Sequence, residues 1–139
     1  MKHIYLFILF LILQGCASNT GYFASKNTMQ ASIVNEKIII NDVVKTVKKF
    51  YSPAKITLSL FMEQEDEFSI NFTNALRKEG YAVSINQGEL GYIPIAYKLD
   101  MVGSLIRITV NIDKIQFSKL YSVGDSTIHS YSPITLRGL

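Results

Sequence analysis

The chain has 139 residues, the length of one small domain and too few for two ordinary domains. Hydrophobic residues make up 48% of it and charged residues 18%, with three prolines, which excludes a disordered or collagen-like chain. Fourteen basic and eleven acidic residues give a formal net charge of +3. This balance is too mild, and the basic residues are too dispersed, to indicate direct binding of nucleic acid.

The first sixteen residues have the order of a signal peptide: a short charged start, an apolar run and a small-residue exit. The apolar run, residues 4–13, is about half the length that spans a bilayer, so we do not expect a permanent transmembrane anchor. The leader ends in a motif that resembles the bacterial lipobox, made of Leu13, Gln14, Gly15 and Cys16. We therefore predict a lipoprotein signal peptide over residues 1–15.

Cys16 is the predicted lipidation site, because a thiolate is nucleophilic enough to take a diacylglycerol group and the freed amine can then be acylated, for example with palmitate. The alternative is that Cys16 is not modified and serves as a small apolar residue of a signal anchor. Acyl chains contribute about 0.8 kcal/mol per buried methylene, so two or three chains would make the attachment effectively permanent. Ala17 and Ser18 follow without an aspartate, which by resemblance to enterobacterial sorting rules indicates an outer-membrane anchor with the domain in the periplasm.

The first elements after Cys16 are a tether and a helix. Residues 16–30 are rich in small and polar residues and lack an apolar period, which predicts a lipidated flexible tether. Apolar residues three and four apart predict a helix over residues 31–51, with Asn41 as an alternative start. Alternation predicts a strand over residues 55–62. Asp66 and Gly80 are expected to cap and end a second helix.

Short alternating runs dominate the rest of the chain. They predict strands over residues 81–85, 93–101, 106–112 and 115–121, with a weak last strand near 126–134. We expect residues 31–139 to form a single periplasmic α+β domain, with two helices packed on one face of a mostly antiparallel sheet of four to five strands. The other face of the sheet would be open to partners.

No constellation of residues indicates an enzyme. His129 is the one histidine of the mature chain and reads as a surface residue. The acidic run 63–67 could be a metal site, but it more simply places negative charge at the start of the second helix. We predict no catalytic residue, no cofactor and no metal site.

Several segments, in this order and spacing, resemble the TrbH family of conjugal transfer lipoproteins, which belong to type IV secretion systems of plasmids and integrative elements. They are LQGC at 13–16, FYSPAK at 50–55, Phe68, ALRKEGYAV at 75–83, IPIAYKLD at 93–100, IRITV at 106–110 and SKLY at 118–121. The chain departs from the family pattern at its C-terminal end, where YSPITL at 131–136 replaces a tryptophan-bearing stretch, and its glycine loop is shorter.

The resemblance implies a structural and assembly component of a conjugative secretion channel at the outer membrane, without activity or cofactor. Its partners would be the membrane, through the N-terminal lipid, and the outer-membrane core subunits. A homo-oligomeric ring within the complex is a further possibility. The alternative is an envelope-transport lipoprotein that binds lipid or lipopolysaccharide. An unpaired strand edge can bind a partner by strand addition, and we expect such an edge on the last predicted hairpin, residues 106–121. The predicted contact residues are Lys114, Phe117, Lys119 and Tyr121.

Overall fold

A computed structural model of the chain describes residues 24–29, 35–125 and 127–138, so the predicted leader and Cys16 lie outside the described residues. The helices are α1 (Lys37–Phe50) and α2 (Glu67–Lys78), and a 3-10 helix (Pro53–Lys55) follows α1. The described strands are β1 (Lys26–Asn27), β2 (Thr57–Leu60), β3 (Ala82–Ile85), β4 (Ile93–Val102), β5 (Leu105–Ile112), β6 (Ile115–Val123), β7 (Ile128–Ser130) and β8 (Thr135–Arg137).

The described strands form one mixed sheet, in the order β3-β2-β4-β5-β6-β7, with β1 on β4 and β8 on β6. β2 runs parallel to both β3 and β4, and β1 runs parallel to β4. The predicted sheet of four to five mostly antiparallel strands is therefore wrong. The crossover through α2 lets β2 and β3 lie side by side in the same direction. The additional strands β1, β7 and β8 have only two or three residues each, too few for an alternating pattern to reveal.

Both helices pack into the same core. Every second side chain of β5 is buried. Each of these side chains pairs across the ladder with a buried residue of β4, of β6 or of both. The helices place their apolar stripes on this side of the sheet, which we name the helix face. The core includes Ile39, Val43, Val47, Leu58, Leu60, Phe68, Phe72, Leu76, Ile95, Tyr97, Leu99, Ile106, Ile108, Val110, Ile112, Phe117 and Tyr121.

Helix α2 begins where the sequence predicts. The Asp66 carboxylate accepts a hydrogen bond from the Ser69 backbone N–H (2.8 Å), and the Ser69 hydroxyl accepts one from the Asp66 N–H (2.9 Å), which makes a reciprocal capping box. After the helix, Gly80 takes the left-handed conformation (φ +93°) that glycine adopts without steric cost. Asp66 also accepts a hydrogen bond from the Tyr97 hydroxyl (3.2 Å), which ties the start of α2 to β4.

An N-terminal segment is bound to the sheet inside the range predicted as a tether. The backbone N–H of Ser25 donates to the carbonyl of Phe61 (2.6 Å), and the Ser25 hydroxyl accepts from the N–H of Tyr97 (3.1 Å). Thr28 donates its N–H to the carbonyl of Leu99 (3.0 Å). The range 16–30 therefore contains a short strand that is paired with β4.

The weak last strand of the prediction is two strands. β7 pairs with residues 121–123 and β8 with residues 116–118, both antiparallel to β6. Pro133 lies between them, and proline has no N–H to donate to a ladder. The gap is closed by the carbonyl of Leu120, which accepts the N–H of Tyr131 (2.9 Å) and of Ser132 (3.3 Å). The C-terminal segment thus covers most of the outer edge of β6.

We predict that Asp66→Ala lowers the free energy of unfolding by about 1–2 kcal/mol, since the first turn of α2 loses its cap. The measurement is chemical denaturation followed by circular dichroism, with Glu65→Ala as the control because Glu65 is exposed and lies just outside the capping box. An equal loss in the two variants would show that the Asp66 cap contributes nothing specific.

Candidate interaction surface

The four predicted contact residues do not come together on one surface. Phe117 and Tyr121 are 2% and 0% exposed, because they lie on the helix face of β6 and belong to the core. Lys114 is exposed in the turn between β5 and β6. β6 pairs with β5 on one side and with β7 and β8 on the other, so the hairpin 106–121 has no long free edge for strand addition.

Lys119 takes part in an internal contact between α1 and β6. Its Nζ lies 2.5 Å from Oδ2 of Asp42 on α1, and only 14% of its side chain is exposed. The Tyr121 hydroxyl donates to the same oxygen (3.1 Å), and the Lys119 ammonium lies 5.1 Å from the centre of the Tyr121 ring. Burial, followed by the charge of Asp42, raises the pKa of Tyr121. This cluster fixes α1 on the sheet.

The opposite side of the sheet, which we name the open face, carries polar side chains on β4, β5, β6 and β8. They occupy the positions between the core residues, as the alternation of a strand requires. In register across the ladder, Asp100 faces Arg107, Thr109 faces Ser118, and Gln116 faces Arg137. The polar residues of the open face include Lys98, Asp100, Arg107, Thr109, Gln116, Ser118, Thr135 and Arg137.

One ion cluster lies at the β4–β5 part of the open face. Arg107 donates from Nε (2.9 Å) and Nη2 (2.7 Å) to the two carboxylate oxygens of Asp100, and the Lys98 ammonium lies 3.1 Å from Oδ2. The hydrogen bonds from Arg107 outweigh burial and hold the pKa of Asp100 below its ordinary value. The same contact raises the pKa of Arg107. Two cations thus share one carboxylate.

Next to this cluster is a cavity of about 160 Å³, which we name the cradle. None of its lining residues is a carboxylate, and all six carry hydrogen-bond donors: Arg107, Thr109, Gln116, Ser118, Thr135 and Arg137. The Gln116 amide donates to Asn111 (2.7 Å). Among the described residues Arg137 makes no ion pair. Arg107 and Gln116 thus use part of their donors within the fold, whereas the guanidinium of Arg137 and the hydroxyls of Thr109, Ser118 and Thr135 have no partner within the described ranges.

Two further cavities lie on other parts of the surface. One, of about 260 Å³, runs between α1 and α2 and includes Lys45, Lys48, Lys78 and Glu79 in its lining. Lys48 and Glu79 form an ion pair across it (2.5 Å). The other, of about 170 Å³, is lined by residues 25–27 and by residues of the acidic run 63–67. Charged and polar groups line all three cavities, so these cavities do not favour binding of an apolar lipid chain.

The residues weighed for chemistry occupy ordinary structural positions. His129 is exposed, and its Nε2 lies 2.8 Å from the Thr127 hydroxyl. Asp66 of the acidic run caps α2. Within the described ranges no three His, Cys, Asp or Glu side chains are grouped as metal ligands. Over the same ranges no helix has the length and apolar composition to cross a membrane.

We predict that the contribution of Asp100 to stability disappears in acid. Its folded-state pKa lies below its ordinary value of about 3.9, so the contribution is present above about pH 4 and is lost as the pH falls through the folded-state pKa. Chemical denaturation should show Asp100→Asn less stable than the parent protein at pH 7, with a smaller difference at pH 3. A difference that is the same at both pH values would contradict the assigned ion cluster.

In a comparison with known protein families, residues 17–138 match the family described as conjugal transfer protein TrbH. No curated protein and no solved structure matches the chain. The match extends from the residue after Cys16 through β8, so it includes both helices and the whole described sheet. It confirms the resemblance seen in the ordered segments of the sequence. The chain belongs to the TrbH family of conjugal transfer proteins.

Proposed function

We propose that this protein is a lipid-anchored structural component of a conjugative type IV secretion channel at the outer membrane. The observation that carries the proposal is the family match over residues 17–138, which makes the chain a component of conjugal transfer. The anchor is inferred from the lipobox-like ending Leu13 to Cys16. The structural role and the partners, the outer-membrane core subunits of the channel, are part of the same proposal.

The pairing of β1 with β4 leaves only a short stretch of chain between the sheet and the proposed lipid. Eight residues lie between Cys16 and Ser25, where the described chain is already hydrogen-bonded to the sheet, so the connection has nine residue-to-residue steps. An extended chain of that length spans at most about 30 Å. A lipid on Cys16 would therefore hold the domain close to the membrane surface. Such confinement raises the effective concentration of the domain at a membrane-embedded partner, so a weak protein contact is enough for assembly.

A structural role agrees with the contacts of the carboxylates Asp42, Asp66 and Asp100, which accept hydrogen bonds from within the fold. The carboxylates whose pKa is lowered in the interior or on the sheet, Asp66 and Asp100, accept hydrogen bonds that cap α2 and join β4 to β5. Asp42 joins α1 to β6. These contacts stabilise the fold and leave Arg137 and the hydroxyls of Thr109, Ser118 and Thr135 for recognition.

The anchor is tested by mass spectrometry of membrane-extracted protein. We expect the mature chain to begin at an acylated Cys16, and we expect Cys16→Ser to retain its leader and lose the acyl mass, because a hydroxyl is not nucleophilic enough to replace the thiolate. Thr20→Ala is the control, since it changes the same segment without touching the lipobox. An unacylated wild-type chain would contradict the anchor.

The assembly role is tested with the same extracts. Wild-type protein and Thr20→Ala should co-purify with the outer-membrane subunits of the channel, and Cys16→Ser should give much less of the complex and a lower frequency of conjugal transfer. An acylated chain that brings no channel subunit with it would contradict the role in the channel and leave the anchor intact.

A further inference from the structure

We propose that the open face binds an extended acidic segment of a neighbouring protein, with carboxylates of that segment held in the cradle between Arg107 and Arg137. This inference deepens the proposed function and rests on it, since it supplies the chemistry of the partner contact. It also replaces the hairpin edge, which the structure shows to be covered by β7 and β8.

The open face carries an excess of positive charge. Lys98, Arg107 and Arg137 are cations, and Asp100 is the carboxylate among the residues that define this face. Asp100 is shared by two of these cations, so positive charge remains after the internal pairing. An acidic partner would complement this charge, and a basic partner would be repelled.

Several hydrogen-bond donors that line the cradle are free to bind a ligand. Arg107 contacts Asp100 through Nε and Nη2, so its Nη1 group is left for another acceptor. Within the described ranges, no hydrogen bond engages the hydroxyls of Thr109, Ser118 or Thr135, which line the same cavity. Guanidinium and hydroxyl groups that converge in this way match the lone pairs of a carboxylate.

The edge of β8 argues for an extended protein segment over a lipid headgroup. Among the described strands β8 pairs only with β6, so the backbone groups on its other side are unpaired. An extended segment can pair with this edge and present alternate side chains on the open face, as an added strand does. β8 has only three residues, and Pro133 precedes it closely, so backbone pairing is too short to bind by itself. The charges of the cradle would supply the remaining affinity and the specificity.

The test measures binding of a fluorescent peptide of alternating Glu and Thr to the full mature protein in detergent micelles, by anisotropy at low salt. We expect Arg137→Gln to weaken binding by about three- to tenfold, because it removes one exposed charge-assisted contact. Lys49→Gln is the matched control, with the same change of charge on the exposed side of α1. Asp100→Asn should tighten binding several-fold, since it frees Arg107 from its internal carboxylate.

Three results would overturn the inference. One is absence of peptide binding, and another is an equal loss in Arg137→Gln and Lys49→Gln, which would reflect net charge only. The third is peptide binding that phosphatidylglycerol in the micelle abolishes while inorganic phosphate of equal charge does not, which would assign the open face to a lipid surface. Each of these results leaves acylation of Cys16 and co-purification of channel subunits untouched, so failure here is distinguishable from failure of the proposed function.

Discussion

The side chain and backbone of Tyr97 connect the parts of this domain. Its ring is buried between the sheet and α2, with the ring centre 4.9 Å from that of Phe68 and 5.8 Å from that of Phe72. Its hydroxyl donates to Asp66, the cap of α2, and its backbone N–H donates to the hydroxyl of Ser25. One position on β4 therefore contacts both the start of α2 and the N-terminal segment. That second contact fixes the first described residues of the chain, so under the proposed lipid anchor at Cys16 it limits how far the domain can lie from the membrane.

Strand alternation then divides the domain into a side used for folding and a side left for recognition. On the helix face, even the charged residues Asp42 and Lys119 are paired with each other and serve packing. On the open face, the ion pair of Asp100 with Arg107 joins neighbouring strands, while Arg137 has no such role. A domain of this size can present a polar sheet face to a partner because the two helices already cover the apolar one.

The sequence predicts the elements that have a long period or a strong end signal. Helix α2 is bounded by Asp66 and Gly80 as expected, and β4, β5 and β6 follow from their alternation. Parallel pairing of β2 with β3 was not predictable from alternation, because period two carries no information on strand direction. The strand β1 was not predictable because two residues have no period.

The contact residues show a second limit of alternation. Alternation on β6 places Phe117 and Tyr121 on one face, but the pattern alone does not say which face the helices cover. The pairing of Val110 with Phe117 and of Ile106 with Tyr121 identifies the covered face, and this register comes from the structure.

Partner binding at the open face is most directly tested by photo-crosslinking in conjugating cells. The crosslinker is placed at Thr135, on the open face, or at Asn41, on the helix layer. We expect a crosslink to a channel subunit from Thr135 and none from Asn41; crosslinks only from Asn41 would contradict binding at the open face.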